Sequence, residues 1–317
     1  MKSARTLGIA ALFVLVLIYG ITPVMARFFS SHLGVYEQWY LRFFVAACVM
    51  AIFFRKNIRF RKLFTHSRYE IWLAVIRGAL GLGVGAILYA LSTKYTTIGS
   101  VTAMQIVPFT AVFGVVLLRE RLGFSRALLI GVSFVGAFLV AVQDIANLRF
   151  GFGELLSLIS GAFFSLSFVL RRKQTGEMNN YELAFMATLV GMCINYLMAV
   201  ITTGHFLPTQ VGGSVGLMFW CLLLTAGVLS AAMNMLSNYG FEQVRATTAS
   251  IIMNMELVFG VVLGYLVYRE VLTVRQTVGA LVILLASSIA AYLEAKQVPG
   301  QTIDRAAKVS ETSGGNT

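Results

Sequence analysis

The sequence predicts an all-α membrane protein: ten transmembrane helices forming two inverted five-helix repeats around a central cavity. Three observations predict it, namely a composition too apolar for a soluble domain, ten apolar runs of spanning length, and a stretch that recurs 150 residues further on.

Of the 317 residues, 58% are hydrophobic and 12% charged, with a mean hydropathy of +0.81. Soluble domains run near half apolar and about a quarter charged, so an ordinary globular domain is excluded. A span needs about 20 mostly apolar residues, and backbone at that depth has to satisfy its own hydrogen bonds. Helices do so, and the runs show no barrel alternation. The net charge of +12 sits mostly in short hydrophilic breaks between apolar runs, where orientation sorting places it. No nucleic-acid partner is expected. Cys48, Cys193 and Cys221 all fall inside apolar runs, which suggests packing residues and neither a disulfide framework nor a metal site. His32, His66 and His205 are scattered without ligand spacing, so neither metal nor cofactor is expected.

In order, the runs are 7–26, 36–54, 71–91, 98–118, 126–143, 153–170, 181–201, 216–239, 247–267 and 277–294. The first follows Lys2 and Arg5 like a signal peptide, but it continues through Tyr19 to Met25 with no small-x-small site, so a retained helix is expected. The second carries Arg42. Gly78, Gly81, Gly83 and Gly85 make the third glycine-rich, which implies close helix contacts or hinges and not a nucleotide loop, since no strand precedes it. In the fourth, Gln105 and Pro108 share a helical face. The eighth carries Asn234 and Asn238 four apart, and the ninth holds Glu256 with a GxxxG at Gly260 and Gly264. Beyond the tenth, 298–317 is rich in Gly, Ser and Thr, and is expected to be a disordered cytoplasmic tail.

The recurring stretch is 89–122, matched by 239–272 at nine of thirty-four positions, including Arg119-Glu120 with Arg269-Glu270. Upstream the offset is 145, pairing Gly8 with Gly153, Arg27 with Arg172, Tyr36-Glu37 with Tyr181-Glu182, and Cys48 with Cys193. Five extra residues therefore enter the loop 202–215. The repeats are expected at 7–143 and 153–294. Five helices per half is an odd number, so the second half enters the membrane upside down. With the N-terminus inside, eighteen basic residues fall in inner breaks and five in outer ones, with Arg42 and Arg77 inside spans; both termini are then expected in the cytoplasm. Inverted repeats rocking about a midplane site are the architecture of secondary transporters.

The motifs resemble those of the drug/metabolite transporter superfamily, specifically the ten-helix EamA type, over about 7–295. They are Leu41-Arg42-Phe43, Arg77-Gly78, Tyr89-Ala90-Leu91, Pro108, Arg119-Glu120-Arg121-Leu122, Gly153 with Phe164-Ser165, Met255-Glu256-Leu257-Val258-Phe259 and Arg269-Glu270. The family usually has proline where this chain has Leu257, so no proline is present to break the ninth helix there. The resemblance implies a bacterial inner-membrane carrier, often an exporter of amino acids or other small metabolites.

Glu256 is the one acidic residue well inside a span, and a charge there costs about 2.5–3.5 kcal/mol on insertion scales. Burial disfavours the charged form of a carboxyl, the property a proton-coupled carrier uses; a structural carboxyl bonded to a neighbouring helix is the alternative. Asn254, about 200° around the helix, points elsewhere. Arg42 reads as an anion or carboxylate contact or a partner for Glu256, against snorkelling or pairing to carbonyls, and its match in the other half is Ala187. Arg77 reads as an interfacial or gating residue, with substrate contact as the alternative. Gln105, Asn234 and Asn238 are substrate candidates or amide ties between helices. Tyr19, on a face with Pro23, and Tyr89 are candidates or packing aromatics.

The expectation is a carrier, not an enzyme, that moves a small organic metabolite by alternating access through the inner membrane. Efflux of an amino acid or related compound with proton coupling is preferred over uptake or exchange of a nucleoside-like or vitamin substrate such as S-adenosylmethionine. No catalytic HExxH or aspartate-rich cluster occurs. The sequence leaves a homodimer open.

Overall fold

The computed structural model describes residues 2–29, 32–63, 65–96, 101, 104–142, 150–208, 216–268 and 273–296. Arg269-Glu270, Thr97, Ser100, Arg149, part of the loop 202–215 and the tail 298–317 lie outside the described residues, as do the side chains of Pro23, Arg27 and Gly264.

Among the described residues every regular element is helical. The helices are α1 (Lys2–Phe29), α2 (Val35–Phe53), α3 (Arg68–Gly78), a π-helical stretch (Ala79–Gly85), α4 (Ala86–Tyr95), α5 (Phe109–Leu118), α6 (Phe124–Ala141) and α7 (Phe152–Leu170). A 3₁₀ turn (Arg171–Lys173) leads on to α8 (Asn180–Thr203), α9 (Leu217–Gln243), α10 (Ala246–Met253), α11 (Met255–Tyr268) and α12 (Val274–Lys296). Seven helical stretches are long and apolar enough to cross a membrane, which makes this a multi-pass membrane protein. The other three apolar runs fall short for visible reasons. Glu37, Gln38 and Arg42 dilute α2, α5 has only 10 residues, and the ninth run is divided between α10 and α11.

Local chemistry explains several boundaries. The repeated Tyr-Glu pair is a helix start: the Gly34 N–H donates to Glu37 Oε2 at 2.8 Å, and the Asn179 N–H to Glu182 Oε2 at 2.9 Å. In each case the third helical residue caps its own N-terminus. Pro108 does not share a helical face with Gln105, because α5 begins only after it; the Phe109 N–H turns back to Val107 O at 2.7 Å. Proline lacks a donor and disfavours helix at the preceding residue.

The glycines of the third run carry close contacts. A Cβ at Gly78 would lie 2.9 Å from Ala187 Cα, one at Gly81 2.8 Å from Ser167 Oγ, and one at Gly83 2.7 Å from Ile194. The π-helical stretch is thus wedged between α7 and α8, with the Asn195 amide donating to Leu82 O and the Ser160 hydroxyl to Gly85 O. Gly260 differs, since nothing lies within 4 Å of a Cβ built there. Cys193 and Cys221 are exposed, so the packing role that their sequence context suggested does not hold for them.

The helices pair in exchanged sets. α1 packs on α9 and α4 on α7, α1 on α11 and α5 on α7, while α2 packs on α8 and α6 on α12. One end of the bundle is closed by charge. Arg59 pairs with Glu182 at 2.8 Å, Arg172 with Glu120 at 2.9 Å and Arg171 with Glu242 at 3.0 Å, and Glu294 lies among Arg5, Arg126 and Arg245 at 3.9–4.0 Å.

Candidate substrate and coupling site

The ninth apolar run breaks at Asn254, although no proline is present. α10 ends at Met253, Asn254 takes φ −62° and ψ −15°, and the Leu257 N–H reaches only as far back as Asn254 O, at 3.2 Å. The Asn254 amide leaves its own helix and donates to Ser133 Oγ on α6 at 2.8 Å. The break therefore falls, without a proline, at an asparagine whose side chain is bonded outside its own helix.

The break puts Glu256 in the first turn of α11. A helix N-terminus favours a carboxylate by about 0.3–1 kcal/mol, too little to offset burial, which costs several kcal/mol per ion. Val262, Tyr265 and Leu266 are the exposed face of α11. At about 100° per residue, Gly260 lies about 120–160° away from them and Glu256 about 80–180° away, turned toward the bundle. There Gly20 of α1 packs onto Phe259 and the Gly260 backbone, and Tyr19 of α1 and Tyr89 of α4 both come within electrostatic range of the Glu256 carboxyl. Among the described residues no hydrogen bond or ion pair reaches that carboxyl.

Of the remaining candidates, three are tied down in one chain. Arg77 donates from Nε to Ser167 O (2.9 Å), from Nη1 to Gln174 Oε1 (2.6 Å) and from Nη2 to Asn238 Oδ1 (2.7 Å). The Asn238 amide donates to Asn234 O, and the Asn234 amide to Thr188 Oγ1 at 2.9 Å. Gln105 is separate and donates to Ser157 O at 3.0 Å, fastening its segment to α7. Each of these four donates to protein acceptors.

Arg42 does not pair with Glu256. It is 3% exposed, its guanidinium carbon lies 5.1 Å from the Phe29 ring centroid and 5.7 Å from that of Trp39, and its Nε and Nη2 are buried with no acceptor. Two cation–π contacts return about 1–4 kcal/mol together. Desolvating the guanidinium costs several kcal/mol, so the rings offset that cost only in part.

A further residue was missed by sequence reasoning as anything more than part of a motif. Glu120 accepts from Arg172 Nη1 (2.9 Å), from the backbone N–H groups of Ala246 (2.8 Å) and Thr247 (3.0 Å), and from the Thr247 hydroxyl (2.8 Å). It caps α10 from the other half of the chain, at a helix end where an anion is favoured. The signal was present, since Arg119-Glu120 recurs, but its partner could not be read from spacing.

This arrangement has known counterparts. Residues 6–142 and 151–292 each match the family model of the EamA-like transporter family. The chain belongs to that family. Its EamA relatives include a protein of Rickettsia prowazekii (strain Madrid E) named as an S-adenosylmethionine uptake transporter, 24% identical over 289 residues that cover 88% of this chain and 90% of the relative. Another, of Archaeoglobus fulgidus, is named only as an uncharacterized transporter and is 26% identical, covering 85% of this chain and 81% of the relative. A crystal structure superposes with a TM-score of 0.75 at 12% identity, over 93% of this chain and 98% of the other, and so shares the fold. The protein is an EamA transporter in a membrane, and its relatives carry transporter names, not enzyme names.

Proposed function

We propose that this protein is a secondary transporter that carries a small organic metabolite, an amino acid or related compound, out across the bacterial inner membrane by alternating access with proton coupling at Glu256. The observation that carries the reading is the unpartnered Glu256 carboxyl facing Tyr19 and Tyr89 across the seam between the two halves. A carboxyl with no protein partner is free to exchange its proton for a substrate cation or to bind the two in turn. Ten spans in two inverted repeats, 7–143 and 153–294, with both termini cytoplasmic, complete the proposal. Support comes from the exchanged helix pairs, since swapping the halves turns α1–α9 into α7–α4 and α1–α11 into α7–α5, and from the bias of eighteen inner to five outer basic residues.

The test is transport of radiolabelled amino acids and S-adenosylmethionine by proteoliposomes, wild type against Glu256→Gln. Expected is counterflow in both and gradient-driven accumulation in the wild type alone. Equal accumulation by the two under a proton gradient would remove Glu256 from coupling. A second reading is uptake or exchange of a nucleoside-like compound. It is favoured by two relatives, of Rickettsia prowazekii and Rickettsia bellii, both named S-adenosylmethionine uptake transporters, at 24% and 23% identity. Counterflow of S-adenosylmethionine but of no amino acid would select it.

A further inference from the structure

We propose that Arg42 is the substrate's anion-recognition residue, its Nε–Nη2 edge forming a fork for a carboxylate while Phe29 and Trp39 hold the guanidinium plane. The proposal rests on the transporter reading above. It begins from which atoms lack partners. The two rings lie 5.1 and 5.7 Å from the guanidinium carbon, and ring contacts of this kind satisfy the faces of the cation but none of its N–H groups. The nitrogens left without an acceptor are Nε and Nη2, adjacent on one edge. That edge presents two parallel N–H donors, the arrangement that a carboxylate takes in bidentate fashion.

The architecture does not require a cation here. The matching position in the other half is Ala187, whose backbone packs directly against Gly78, so a methyl group serves the same place in the second repeat. Nor does the rest of the protein answer the charge. Among the described residues no acidic group pairs with Arg42, whereas Arg59, Arg171 and Arg172 each have a carboxylate. Arg42 lies seven residues, about 10 Å, into α2, within the span and away from the charged end of the bundle. A substrate carboxylate held there and a cationic or proton-exchanging pole at Glu256 would be read by separate groups, because no ion pair joins the two residues. The fork is enclosed in this conformation. Occupying it requires the neighbouring ends of α1 and α2 to part, which is the movement alternating access supplies.

The experiment uses the full chain in lipid nanodiscs, with Trp72→Phe and Trp220→Phe leaving Trp39 as the sole tryptophan. The probes are the twenty standard L-amino acids and S-adenosylmethionine, each beside its carboxyl methyl ester, read by thermal shift and Trp39 emission. Expected is at least one free acid that raises Tm and changes Trp39 emission while its ester does neither. In Arg42→Gln the affinity for that acid falls at least tenfold with the ester unchanged, and Arg42→Lys restores part of it. Equal responses to every acid and its ester in the wild type, or no response to any, overturn the proposal without needing a variant that folds. An acid preference that persists in Arg42→Gln overturns it too. Counterflow of some compound without acid preference leaves the transporter standing and removes Arg42, whereas absence of counterflow for every compound removes the transporter reading itself.

Discussion

Glu120 occupies the turn after α5, where Arg119 takes a left-handed φ of 52°, the one positive φ of a non-glycine among the described residues. That conformation costs a side chain about 1–2 kcal/mol, and it swings the carboxylate toward Ala246 and Thr247. Glu120→Ala would leave two backbone donors and Arg172 without their acceptor, and is expected to cost about 2–4 kcal/mol of stability, read as a lower Tm in detergent. Glu177 lies outside the spans and shows the opposite economy. The Ser67 N–H at 2.8 Å holds its carboxyl below the usual range. A folded pKa below the unfolded value, about 4.3, means that its stabilisation is present above that pH and is lost as pH falls through the folded value. The Tm of Glu177→Gln should therefore lie below wild type at pH 7 and approach it as pH falls through the folded value; a gap that does not shrink with falling pH would contradict this. Glu256 was legible from the sequence because one carboxylate in a long apolar run is conspicuous. That Arg77 is bonded at all three of its nitrogens was not, since its acceptors Ser167, Gln174 and Asn238 lie 90 to 161 residues away.

The third run, read from its glycines as a place of close contact, becomes a π-helical stretch between α7 and α8, a detail that glycine content alone does not specify. Adding one methyl at Gly78 meets the Ala187 backbone at 2.9 Å, whereas Gly123 has nothing within 4 Å. Gly78→Ala should cost about 1–3 kcal/mol and weaken transport, and Gly123→Ala should be close to neutral in both assays. The breaks in the fourth and ninth runs were only half legible. Pro108 announces its own effect through its missing donor. Asn254 gives no such warning, because whether its amide stays in the helix or leaves depends on Ser133 of α6, 121 residues earlier.

Over the whole molecule the membrane class and the internal duplication were open to inspection in the sequence, because apolar length and a recurring string need no knowledge of contacts. Which helices touch was not, because helix pairing depends on surfaces contributed by distant segments. The inverted arrangement can be tested by labelling with an impermeant maleimide after replacing Cys48, Cys193 and Cys221. Lys62→Cys and Gly123→Cys should react only from the cytoplasmic face, Tyr95→Cys and His205→Cys only from the opposite one. Reaction of Lys62→Cys and His205→Cys from the same side would exclude it. The cap that Glu120 provides also carries a consequence for how the protein is made. Its backbone donor at Ala246 is synthesised 126 residues later, and at ribosomal rates of about 5–20 residues per second that is a wait of roughly 6–25 s. Arg172, 52 residues on, answers the charge of Glu120 first, and the cap on α10 waits for the remainder of that interval. The first half can reach its final closure only when the second half emerges to complete it, so the two repeats are partners in biogenesis as well as in the finished bundle.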